Sequence, residues 1–340
     1  MTNDAARLIY VDDDLPGISR KRSGKGWSYY DPQGQLITDR AERKRLNAIA
    51  LPPAYTDEWF CPAPNGHILA TGYDAAGRKQ YRYHPDFRTL RESKKFDGCL
   101  PFGEKLPLIR KRVARDIGEE GPTRARVLAA VVRLLDMGFI RIGNTAYARS
   151  NKSFGATTLR DRHAEVKGGS VRFAFRGKSG KDREVTLEDA ELAAAVQDAR
   201  DVPGYHLFQC IEPDGSRYEI GSGDVNDYLR ETMGEAVSAK NFRTWHASVL
   251  AWEFLASANE RPPISALLDH VSDKLGNTPT VARNSYIHPA LIDLVSRDGA
   301  WEEWHGSLER PRSTKYASGA ERGLIAMLQK VPDAGELLAA

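Results

Sequence analysis

The feature that most constrains this chain is a change of hydrophobic period near residue 89. Before it lie short alternating runs, "GWSYYD", "HILATGYD" and "KQYRYHP", separated by "DPQG", "CPAPNG" and "DAAG". Period-two runs between such turn formers predict strands. One helical piece, "DRAERKRLNAIA", interrupts them. After residue 89 the period becomes 3.6, in "PTRARVLAAVVRLLDMG", "TLEDAELAAAVQDAR", "SGDVNDYLRETMGEA", "RTWHASVLAWEFLAS" and "PPISALLDHVSDKLG". These predict helices. Pro122 should open the first of them, Gly138 close it, and Gly276 close the last. Alternation returns once, in "GSVRFAFRGKSGKDREVTL", which predicts a hairpin with Lys178 and Lys181 at its tip. The expected class is α+β: a small β-rich N-terminal domain, residues 1–88, then a larger, mostly α-helical domain, residues 89–340, carrying a β-hairpin.

Charge is distributed unevenly. The net charge is +3, yet residues 1–112 hold 20 Lys+Arg against 14 Asp+Glu, a net of +6, leaving 29 against 32 in the remainder. Residues 78–112 alone carry 11 basic and 4 acidic side chains, with Tyr81, Tyr83, Phe87 and Phe96 among them. Basic residues interleaved with aromatics attract polyanions, nucleic acid above all. No apolar run approaches the roughly 20 residues that cross a bilayer. The N-terminus "MTNDAARLIYVDDDLPG" carries acids where a signal peptide carries lysines, so a cytoplasmic protein is expected. Cys61, Cys99 and Cys210 form neither a disulfide framework nor a metal-ligand spacing. Motifs for a phosphate-cradling nucleotide loop, a zinc protease, a calcium loop or a serine nucleophile elbow are absent from the sequence. No metal and no cofactor are expected.

In "TPTVARNSYIHPAL", Thr278 and Pro279 mark a helix start, and His288 before Pro289 marks a stop. The short helix between them carries Tyr286 near its end, on two turns that can hardly bury it. The tyrosine is expected to be movable rather than buried. Arg141 follows a helix-ending glycine, Lys178 occupies the hairpin tip, and Arg243 lies at the start of an amphipathic helix. Asn277 precedes the tyrosine by nine residues. Each has an ordinary structural use alone. Together they match the needs of phosphodiester transfer. Tyrosine can attack phosphorus and leave again as phenolate. Two arginines can fork onto non-bridging oxygens, a lysine can protonate the 5′ leaving oxygen, and an amide can donate one more hydrogen bond.

The chain resembles the type IB DNA topoisomerases of the short bacterial and poxvirus kind. The resemblance rests on "LPPAYTDEWFCPAPNGHILATGYDAAGRKQYRYHP", "FIRIGNTAY", "FRGKSGK", "NFRTWHAS" and "TVARNSYIHP", in that order. It implies a two-lobed clamp around double-stranded DNA, acting as a monomer and associated with the nucleoid through its substrate. It also implies catalytic roles for Tyr286 (nucleophile), Arg141, Lys178 (general acid) and Arg243. The fifth position, commonly histidine, is Asn277 here, so pH dependence owed to that histidine should be missing. From the same resemblance Arg78, Gln80, Tyr81, Tyr83 and Tyr147 are expected DNA contacts. By alternation Tyr81 and Tyr83 should share one strand face.

Two rival readings remain. A tyrosine site-specific recombinase uses a similar set, but it usually places a histidine where this chain has Lys240, and its N-terminal part is helical rather than β. A non-catalytic DNA-binding protein would use the same cations for phosphate contacts only and would be indifferent to Tyr286→Phe.

Overall fold

The computed structural model describes residues 8–339. Residues 1–7 of the N-terminal stretch, Asp4 among them, therefore lie outside the described residues, whereas Asp12, Asp13 and Asp14 lie within them. The chain forms two compact units, Met1–Glu92 and Ser93–Ala340.

The first unit is built from a hairpin and a sheet. Strands β1 (Ser19–Ser23) and β2 (Gly26–Tyr30) form the hairpin; helix α1 (Arg40–Ala48) follows. Strands β3 (Thr56–Phe60), β4 (Ile68–Tyr73) and β5 (Lys79–Tyr83) form an antiparallel sheet in sequence order. Asp39 caps α1 by accepting from the Glu42 amide. Ile18, Tyr29, Leu46, Leu51, Phe60 and Ala70 make a small core. Arg20 is buried there, and its guanidinium donates to Leu51 O, Pro52 O and Glu58.

Helix α2 (Pro85–Asp97) contains both the expected domain boundary at residue 88 and the division between units. The second unit then runs through α3 (Cys99–Asp116), α4 (Arg124–Gly138) and α5 (Thr145–Asn151) to an antiparallel sheet. That sheet comprises β6 (Ala164–Lys167), β7 (Ser170–Arg176) and β8 (Asp182–Glu188), with a short turn at Lys178–Gly180. After α6 (Ala190–Asp201) comes a ribbon of β9 (Gln209–Ile211) and β10 (Arg217–Glu219). The chain closes with α7 (Ser222–Met233), α8 (Lys240–Ala256), α9 (Ile264–Leu275), α10 (Pro279–Ser285), α11 (Pro289–Ser296), α12 (Ala300–Trp304), α13 (Gly319–Leu328) and α14 (Ala334–Ala339).

Helix α4 is buried from Val127 through Val132 without a break, as a helix apolar on all sides must be. Its ends correct the sequence expectation. Thr123, not Pro122, caps the start, and the left-handed residue at the end is Phe139, one past Gly138. Gly276 does take the left-handed position after α9. Near the C-terminus, Gly319–Leu328 form α13. It packs on α3 and α8 and is capped reciprocally by Ser318 and Glu321.

Candidate active site

Four elements place polar groups at one point of the second unit. Arg141 lies just after Phe139, in a segment whose backbone is held by that of residues 155–158: Ala156 N donates to Arg141 O at 2.8 Å and Thr157 N to Ile142 O at 2.8 Å. Gly155 and Gly143 lie back to back, and a Cβ on Gly155 would collide with the backbone it faces. Arg243 is the fourth residue of α8 and is almost fully buried. Asn277 follows the left-handed Gly276, and Tyr286 is the C-terminal cap of α10, whose N-terminus is capped by Thr278.

The Asn277 amide oxygen accepts from Arg141 Nη2 at 3.0 Å and from Arg243 Nη2 at 2.9 Å. Arg243 also donates to Leu275 O at 3.1 Å and, through Nη1, to Phe139 O. The left-handed turn at Phe139 thus aims a carbonyl at the guanidinium. Arg141 Nη2 lies 3.4 Å from the Tyr286 hydroxyl, and Arg243 lies over the Tyr286 ring at 4.9 Å. Two donors, Asn277 Nδ2 and Arg243 Nε, are buried without a partner among the described residues. Neither Arg141 nor Arg243 makes an ion pair with a described carboxylate.

Electrostatics follow from that arrangement. Burial first, and then the charge of Arg141, push Arg243 down to about 10. Burial works to raise the Tyr286 phenol, but the Arg141 and Arg243 charges outweigh it and hold it below its usual value. A phenol made more acidic by guanidiniums is a better leaving group and is ionised more readily for attack. His288 caps α11, its Nδ1 accepting from Ala290 N at 3.2 Å, and burial pushes it down to about 4.

The structure therefore unites Arg141, Arg243, Asn277 and Tyr286. The expectation that Tyr286 avoids burial is corrected: it is half-buried and packs against the core, because the chain turns inward at the helix cap. Lys178 stands apart, exposed at the hairpin turn. Instead, Lys181 Nζ reaches Asn277 O at 3.3 Å, and Arg183 lies against Gly276, where a Cβ would overlap its guanidinium. Neither position was singled out from sequence as part of the site. The signal was present in "DREVTLE", since alternation puts Arg183 on the inner strand face with Val185 and Leu187.

Of the expected DNA contacts, Tyr81 and Tyr83 do share a face of β5, their rings stacked 5.7 Å apart. Arg78 and Gln80 both donate to Asp74, at 2.9 Å each. The hydrogen bond from Arg78 leads the causes that hold the Asp74 carboxyl down at about 2. Tyr147 is exposed on α5. Behind Arg243, α8 is anchored by a charged network the sequence did not reveal. Arg110 is forked onto Asp136 (2.7 and 2.9 Å) and onto Glu321 (2.7 and 2.8 Å). His246 contacts Asp136 at 2.9 Å, and Trp245 Nε1 donates to Glu321 at 3.3 Å.

A half-buried phenol thus lies among guanidiniums that no described carboxylate pairs. Residues 84–283 match the family profile "Eukaryotic DNA topoisomerase I, catalytic core", ending three residues before Tyr286. Residues 26–74 match "Bacterial DNA topoisomerase IB, N-terminal domain". The chain is 30% identical to the DNA topoisomerase 1B of Acanthamoeba polyphaga mimivirus, over 84% of this chain and 89% of that one. It is 20% identical to the DNA topoisomerase 1B of Vaccinia virus (strain Copenhagen), over 67% and 72%. The XerH site-specific recombinase bound to palindromic difH substrate matches 58% of this chain and 51% of that one, at 18% identity and TM-score 0.37. The chain belongs to the type IB DNA topoisomerase family.

Proposed function

We propose that this enzyme relaxes supercoiled duplex DNA by a reversible transesterification at Tyr286. The phenolic oxygen attacks the scissile phosphorus while the bond from phosphorus to the 5′ oxygen breaks. The product is a 3′-phosphotyrosyl linkage and a free 5′ hydroxyl. Rotation of the free strand releases supercoils, and attack by the 5′ oxygen reverses the chemistry, so neither ATP nor a metal ion is consumed. Arg141 and Arg243 take the non-bridging oxygens, and the Asn277 amide N–H donates a further hydrogen bond. Lys178 delivers the proton that the 5′ oxygen gains. The observation that carries this reading is the 3.4 Å approach of Arg141 to the Tyr286 hydroxyl beside the unpartnered donors of Arg243 and Asn277.

Arg78, Gln80, Tyr81, Tyr83 and Tyr147 bind the DNA in this reading, with Arg78 and Gln80 exchanging Asp74 for phosphate or a base edge. A DNA-binding domain of residues 1–88 and a catalytic domain of residues 89–340 grip the duplex as one monomeric clamp, at the nucleoid in the cytoplasm. The deciding experiment is relaxation of negatively supercoiled plasmid in EDTA without ATP, by the native chain and by Tyr286→Phe. Relaxation by the first alone supports the proposal. Relaxation by both removes Tyr286 from the chemistry, and relaxation by neither returns the recombinase and binding-protein readings.

A further inference from the structure

Two other shielded guanidiniums of this chain are neutralised by carboxylates. Arg20 is paired with Glu58 at 3.1 Å, and Arg110 with Asp136 and Glu321 at 2.7 Å each. Arg183 is different. It is half-buried on the inner face of β8, and no described residue accepts a hydrogen bond or ion pair from it. It packs against Gly276, immediately before Asn277, at a place that only a residue without Cβ leaves open. Burial and the neighbouring charge of Arg141 both hold it below the usual arginine value. Its charge is also among those that lower Arg243. A guanidinium placed against two like charges and given no anion is costly to the folded chain, unless an anion arrives. It also lines an open groove of about 510 Å³, with Arg162, Arg176, Asp182 and Glu184.

We infer that Arg183 is a third guanidinium of the phosphate site, donating to the DNA backbone at or beside the scissile phosphodiester. This rests on the function proposed above. Lys181 on Asn277 O and Arg183 on Gly276 together hold the start of β8 against the site. That contact links the hairpin whose turn bears Lys178 to the phosphate without requiring Lys178 itself to be docked.

The test uses the full chain with Arg183→Met, which keeps an unbranched stem, and Arg183→Lys. In a Tyr286→Phe background, binding to a duplex oligonucleotide is followed against salt. Loss of one phosphate contact should flatten the slope of log K against log salt by about 0.9 in Arg183→Met. Single-turnover cleavage in the Tyr286 background should slow at least tenfold, by analogy with the roughly 10²–10³ lost with one oxyanion donor. Arg183→Lys should recover part of that loss. The slowing should shrink on a substrate with a neutral methylphosphonate at the cleavage site, and the melting temperature of Arg183→Met should equal or exceed the native one. An unchanged salt slope overturns the inference, as does a lowered melting temperature with equal slowing on charged and neutral substrates. If the native chain forms no covalent adduct, the topoisomerase chemistry fails, and the salt slope still decides whether Arg183 meets phosphate.

Discussion

Arg110 and Arg243 lie in the same helical unit, and their surroundings differ in one respect. Arg110 is forked onto two carboxylates, Asp136 and Glu321. Although burial works against it, hydrogen bonding to His246 and Arg110 holds Asp136 well below the usual carboxylate range. Arg243 is more deeply buried but meets only neutral acceptors, two carbonyls and the Asn277 amide, with Arg141 close by. The first arginine is neutralised inside the protein and joins α3, α4 and α13. The second has no described anion beside it. The same residue type is thus a structural tie in one place and, on the function proposed above, half of an anion site in the other, and the partner decides which.

Substitutions should separate the two. Tyr286→Phe should abolish covalent adduct formation on a nicked duplex while leaving the melting temperature within about 1–2 °C, a surface-scale change. Detectable adduct in that variant would break the assignment of the site. Arg110→Met should cost about 3–5 kcal/mol of stability, because it strands two buried carboxylates. Its single-turnover cleavage, measured at a temperature where it is folded, should stay near native. Arg243→Met should invert that pattern: cleavage down by roughly 10²–10³, and no loss in denaturant midpoint. If both variants lose stability alike, the contrast between paired and unpaired guanidiniums is false.

Much of this was legible in the chain. The period change announced the β-rich and helical units, the "GKSGK" turn announced the hairpin, and Gly276 stands where its left-handed cap is needed. What escaped was set by partners distant in sequence. Glu321 meets Arg110 across 211 residues, and no local pattern predicts that contact. The end of α4 was misplaced by one residue because Phe139 accepts the left-handed conformation, its carbonyl taken by Arg243. Arg183 was legible as an inward cation from strand alternation alone. Its neighbour Gly276 is 93 residues away in sequence, so no local pattern ties it to the site. Tyr286 was read as unburied because the helix bearing it is short, whereas the core that half-covers it comes from other elements.

Lys178 sharpens the comparison from the other side, as the exposed cation of the set. Lys178→Ala should slow cleavage by roughly 10²-fold or more with an ordinary 5′-oxygen leaving group. With a 5′-sulfur leaving group, which needs no proton, the slowing should nearly vanish. Equal slowing with both would remove Lys178 from the acid role and direct attention to Lys181, the lysine that touches Asn277.

The smallest expected effect concerns His288, buried two residues beyond Tyr286. Burial keeps this imidazole neutral, its value pushed down to about 4. An unfolded histidine protonates near about 6.5, so below that pH the unfolded chain binds a proton that the native chain refuses. Stability is therefore fully present above about pH 6.5 and is lost as pH falls towards 4, by up to about 3 kcal/mol for this residue. His163, which burial, Arg162 and Arg160 also push down to about 4, adds to the same window. Urea midpoints measured from pH 7 to 4 should decline in the native chain and decline less in His288→Gln, whose amide can still accept from Ala290 N. Protonation would remove the imidazole acceptor that caps α11, directly after Tyr286. Cleavage should therefore fall at the acid end of this window in the native chain and not in His288→Gln. If the two proteins lose activity together, the acid limit belongs to another group, and the cap after Tyr286 plays no part in it.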